Sequence, residues 1–212
     1  MKSCLTIVIR PLAALVTLAA LAIAAPAAAH HPMGGATPAT LLEGLLSGFG
    51  HPIIGFDHLL FILAVGVACY YFGRRTLTIT VFLAGALSGT LLHLRAANLP
   101  YAEAWVAASL ILLGVLLLRR NDFLKSRAAI ALFALSGMAH GYAYGEAIVG
   151  AEATPLLAYL GGFTLVQFAI ALCGYAIAHY AATKKPLFEF RKAAGGALAS
   201  VGAGFLLYSL AG

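Results

Sequence analysis

The sequence predicts an all-α fold: a polytopic membrane helical bundle with six transmembrane helices after a cleaved signal peptide. Three observations carry that expectation. Of the 212 residues, 62% are apolar and only 9% charged, whereas a soluble domain of this length needs far more polar surface. The apolar residues gather in long runs, each able to cross a hydrocarbon core of about 30 Å at roughly 1.5 Å per helical residue. The polar residues fall between those runs, and the strict alternation that a membrane barrel requires is absent. Helices satisfy their own backbone groups in lipid, which leaves them as the spanning form.

Residues 1–29 read as a secretory signal. Lys2 and Arg10 supply the positive start, Leu12 to Ala24 the apolar centre, and Ala27, Ala28 and Ala29 the small residues of a cleavage site. Cleavage there leaves His30 and His31 at the new N-terminus, where a free amine beside an imidazole can chelate metal. An uncut first transmembrane helix is the alternative reading. Residues 30–212 then form a single six-span membrane domain. Its spans are expected at about 52–72, 76–95, 101–118, 128–149, 155–182 and 191–211. A shorter helix at about 38–48 precedes them. Thr37 or Thr40 caps it, the latter with Glu43 three residues on, and Gly48, Gly50 and Pro52 interrupt it before the first span. It reads as interfacial or re-entrant.

Orientation follows from the basic residues. With the mature N-terminus outside, three loops face the cytoplasm and hold Arg74 and Arg75, then Arg119, Arg120, Lys125 and Arg127, then Lys184, Lys185, Arg191 and Lys192. Only Arg95 lies outside, which is the positive-inside pattern. Signal and loop charges agree on a multi-pass protein of a bacterial inner membrane, with both mature termini on the periplasmic side. The net charge of +6 is spent on topology, so no nucleic-acid partner is expected. Cys4, Cys69 and Cys173 form no CxxC pair, which argues against a thiolate site or a disulfide framework.

Ionisable groups inside spans are costly and mark function. Here they are few: His51, Asp57 and His58 open the first span, His93 lies near the end of the second, and His140 and Glu146 lie in the fourth. In the orientation above, all fall in the outer half of the bilayer. His51 and His58 are seven apart, which puts them on one face of a continuous helix, two turns from one another. Asp57 either joins the site or orients an imidazole. Gly85 and Gly89, and Gly137, Gly141 and Gly145, repeat every four residues and let helices approach closely. His179, near the inner end of the fifth span, reads as interfacial, and Tyr142 and Tyr144 as packing or anchoring residues. Imidazole and carboxylate without thiolate suit nickel, cobalt or zinc. No G-x-x-x-x-G-K-[ST] loop is present. Import needs none: a dication moving to a negative interior gains about 4.6 kcal/mol per 100 mV.

The stretch His51-Pro-Ile-Ile-Gly-Phe-Asp57-His58 resembles the His-x5-Asp-His signature of the HupE/UreJ family, and His140-Gly-Tyr-Ala-Tyr-Gly-Glu146 resembles its His-Gly signature. The resemblance implies a six-span hydrogenase- or urease-associated permease that takes up nickel, or cobalt in some members. It carries His51, Asp57, His58, His140 and Glu146 over as transport residues. Two departures stand out: Ala139 replaces the family's Phe before the His-Gly pair, and Glu146 follows Gly145 directly with no intervening residue.

The expected function is therefore a secondary permease importing nickel or cobalt across the inner membrane for metalloenzyme or cofactor assembly. The expected metal ligands are His51, Asp57, His58, His140 and Glu146, with His93 a further candidate. The cargo is Ni2+ or Co2+, no cofactor is bound permanently, and the partners are a divalent metal ion and the lipid bilayer, with a homo-oligomer left open. No enzymatic activity is expected. The alternative is a membrane-embedded metal-binding protein or metalloenzyme that does not transport.

Overall fold

A computed structural model describes residues 34–119, 123–184 and 189–211. The signal-peptide reading of residues 1–29 lies outside the described residues. Seven α-helices are present among them: α1 (Leu41–Ile54), α2 (Phe56–Phe72), α3 (Arg75–Leu94), α4 (Ala102–Leu118), α5 (Arg127–Gly145), α6 (Ala153–Lys184) and α7 (Phe190–Ala211). Short 3-10 turns cover Phe123–Lys125 and Glu146–Ile148, and no strand occurs among the described residues. Three helices, α3, α6 and α7, are long and apolar enough to cross a membrane, and a fourth crossing follows if α1 and α2 count as one bent span. Large apolar side chains cover the outside as well as the core: Leu135, Leu157, Leu165 and Leu207 are all exposed. Helices apolar all round belong in lipid.

Local chemistry sets the helix starts. At α1 the Thr40 hydroxyl accepts from the Glu43 N–H at 3.2 Å, while Glu43 Oε2 accepts from the Thr40 N–H at 3.2 Å and the Ala39 N–H at 2.8 Å. This is the reciprocal cap that the Thr-x-x-Glu spacing implies. Ser126 caps α5 through Ala129 N–H in the same way, at 3.4 Å.

The first span differs from the expected single helix. α1 does not stop near residue 48. It continues through Pro52 to Ile54, and the chain then turns by 79° at Gly55 into α2. Pro52 lacks the N–H that would bond the fourth carbonyl back, which weakens the last turn. Gly55 then leaves helical geometry at ψ 99° and ends α1. A Cβ at Gly55 would lie 2.5 Å from His58 Cδ2, so the bend needs glycine to admit that ring.

Glycines also build the helix pairs. Gly85 and Gly89 face Ala134 and Met138 in turn, and Gly137 and Gly141 face Phe82 and Ala86, with no room for a Cβ at any of them. Residue numbers climb together along this seam, so α3 and α5 run parallel. Gly44 meets Pro155 and Gly48 meets Tyr159, so α1 runs parallel to the first half of α6. Further along α6, Ala171 and Gly174 cross α2 at Gly66 and Leu63. Gly114 meets Gly195 while Gly202 meets Leu110, so α4 and α7 run antiparallel.

Candidate functional site

Four of the polar residues singled out in the sequence meet at the bend between α1 and α2. His51 sits in the last turn of α1, Asp57 and His58 in the first turn of α2, and His140 in α5, all 3% exposed or less. The seven-residue spacing of His51 and His58 does not mean two turns of one helix, because the bend at Gly55 lies between them. The two rings nevertheless approach to 5.9 Å between centroids, and His58 to His140 is 4.9 Å. The bend folds the imidazoles toward one another across the corner. Asp57 Oδ1 accepts from the His58 N–H at 2.8 Å, a carboxylate at the positive end of α2.

The hydrogen bonds orient the rings, and in neutral imidazoles they favour one tautomer. Ser109 on α4 donates to the Val106 carbonyl at 2.6 Å, so its oxygen accepts from His140 Nε2–H at 3.0 Å. His140 Nδ1 then carries a lone pair in the neutral ring and accepts from His58 Nδ1–H at 2.7 Å. Tyr159 on α6 donates to the Tyr144 carbonyl at 2.8 Å, so its oxygen accepts from His51 Nδ1–H at 3.2 Å. His51 and His58 are thus both oriented through Nδ1. Phe61 stacks on His140 at 4.4 Å, and Tyr144 packs against His51 at 4.9 Å and His58 at 4.6 Å.

Among the described residues, no three His, Cys, Asp or Glu side chains stand arranged to hold one ion at once. The His58–His140 pair is nonetheless close to ligand spacing. With metal–imidazole bonds of about 2.0–2.1 Å, two nitrogens at a right angle lie roughly 2.9 Å apart. The 2.7 Å contact needs its shared proton to move to the far nitrogen of the His58 ring, and a small opening.

His93 and Glu146 stand apart from this buried group. His93 is half-buried with its ring 4.5 Å from Tyr142, and its Nδ1 has no hydrogen-bond partner among the described residues. Gly145 packs against it, and Glu146 follows as the exposed first residue of a 3-10 turn just beyond α5. Tyr142 is an anchor: its hydroxyl donates to the Ala97 carbonyl at 2.9 Å and accepts from the Leu99 N–H at 3.1 Å. Sequence reasoning missed Ser109 and Tyr159. Their signal was a polar atom on the buried face of a mostly apolar helix.

The fold and site define a class: a membrane protein of apolar helices with buried imidazoles gathered at the bend between α1 and α2. The family model for HupE / UreJ protein matches residues 18–205, and the chain belongs to the HupE/UreJ family. Protein HupE of Rhizobium leguminosarum bv. viciae is 30% identical over 194 residues, covering 90% of this chain and 95% of that protein. No solved structure matches.

Proposed function

We propose that the chain is a secondary permease that brings nickel or cobalt across the bacterial inner membrane, through a single six-span domain with both mature termini outside. The observation that carries this is the convergence of the buried His51, His58 and His140 from three helices, with the Asp57 carboxylate bonded to the His58 N–H. A dication in low dielectric needs both features: lone pairs in place of its water and negative charge nearby. His93 and Glu146 form the outer approach. The helix directions support the topology, since alternating spans make α3 and α5 parallel and α4 and α7 antiparallel, as their glycine contacts have them. Family membership supports the cargo class. For both Nδ1 atoms to take the ion, the neutral His58 ring moves its proton from Nδ1 to Nε2, and no net proton is released.

The test is initial-rate accumulation of radioactive nickel and cobalt in cells stripped of other importers, with and without this protein. Accumulation of one ion, suppressed by an excess of the other, is the expected result. No accumulation of either, with the protein present in the membrane fraction, would favour the metal-binding protein or metalloenzyme that does not transport.

A further inference from the structure

A buried amide side chain takes no part in the network around the histidines. Gln167 on α6 is wholly buried, and neither its amide oxygen nor its amide nitrogen has a hydrogen-bond partner among the described residues. A buried amide left unpaired costs on the order of 1–3 kcal/mol, so such a group calls for an explanation. The Tyr144 hydroxyl, also wholly buried, is likewise without a partner there.

The position of Gln167 along α6 is informative. The buried stripe of that helix runs through Tyr159, Phe163, Gln167 and Ala171, one turn apart. Tyr159 holds His51. Phe163 packs on Tyr144 at 5.5 Å, and Tyr144 in turn packs on His51 and His58. Ala171 lies against Gly66 of α2, below the bend. Gln167 therefore sits one turn past the histidine level, between the stretch of α6 that packs on α1 and the stretch that packs on α2. All else in the stripe at that depth is apolar.

Resting on the permease reading above, we propose that Gln167 is the acceptor into which the ion passes when it leaves the imidazoles. The amide oxygen, with the Tyr144 hydroxyl beside the histidines, takes the divalent cation together with the waters it retains. A carbonyl oxygen suits this step, because it coordinates a dication or accepts from its bound water without the grip of a carboxylate. A weak oxygen site after a nitrogen site lets the ion move on.

The experiment is nickel and cobalt uptake by Gln167→Leu, with the membrane-fraction level measured in parallel. The expected result is a maximal rate at least tenfold lower with a half-saturating concentration within twofold of wild type, in a protein no less thermostable. Gln167→Met, which fills a similar volume without the amide, gives the same answer should the leucine variant fail to insert. A maximal rate equal to wild type in either inserted variant overturns the proposal and leaves Gln167 a structural amide. A raised half-saturating concentration at unchanged maximal rate overturns it too, by placing Gln167 in capture. Failure of the wild-type protein to accumulate either ion removes this inference and the permease reading together.

Discussion

The buried cluster at the α1–α2 bend and the rim made by His93 and Glu146 are built in opposite ways. In the cluster every imidazole has its orientation set by the protein: His140 by Ser109, His51 by Tyr159, and His58 by His140 itself. At the rim, His93 rests on Tyr142 with an unsatisfied ring nitrogen, and Glu146 is exposed. Orientation by outer partners raises ligand quality and is worth roughly 10–100-fold in affinity. Exposure to solvent weakens the electrostatics of a carboxylate such as Glu146. On the permease reading proposed above, the contrast fits selection and desolvation at the cluster and attraction at the rim.

The comparison can be broken by mutation, beginning with the largest effect. Alanine at His58 or His140 should reduce uptake to below about a hundredth of wild type while insertion is preserved, since one ligand of a pair is lost outright. Normal uptake in both variants would refute the site assignment. Ser109→Ala should weaken apparent metal affinity by about 10–100-fold with the protein still folded, because His140 then loses the partner that orients its ring. Half-saturating concentrations measured on the two proteins decide this.

A third variant tests how the cluster is positioned. Gly141→Ala drives a methyl into the Ala86 backbone and should lower stability by about 1–3 kcal/mol in thermal unfolding in detergent. Gly161→Ala meets nothing within 4 Å and should change stability by less than about 1 kcal/mol. The smallest effect belongs to the rim. His93→Ala or Glu146→Gln should raise the half-saturating concentration a few-fold, more at low ionic strength than at high, and leave the maximal rate in place. A complete loss of uptake in either rim variant would erase the distinction.

Much of this was legible in the sequence, for physical reasons. Apolar runs separated by basic loops mark the helices directly, and the observed extents of α3, α4, α6 and α7 lie within two residues of those expected. Small residues every fourth position announced the α3–α5 seam, since that spacing always faces one neighbour. The histidines stood out because lipid makes them expensive. The bend did not stand out in the same way. Seven residues between His51 and His58 fit a straight helix, and what defeats that reading is the pair Pro52 and Gly55, which break the helix after His51 instead of before it. The shift moved His51 from the face of one helix to the end of another. Ser109, Tyr159 and Gln167 were overlooked because a single hydroxyl or amide in an apolar helix is usually bonded to its own backbone, as Thr164 is to the Leu160 carbonyl at 2.7 Å.

The length of α6 has an electrical consequence. The histidine cluster lies level with Tyr159 to Phe163, about 9–15 Å along the helix from Ala153. In the proposed orientation that is a third to a half of the way through about 30 Å of hydrocarbon. An ion reaching the imidazoles has then fallen through the same fraction of the membrane voltage, worth roughly 1.5–2.3 kcal/mol for a dication at 100 mV. That energy tightens occupancy about tenfold to fiftyfold. An affinity titrated in detergent, where no voltage exists, would understate by that factor the affinity at which an energised cell captures its metal.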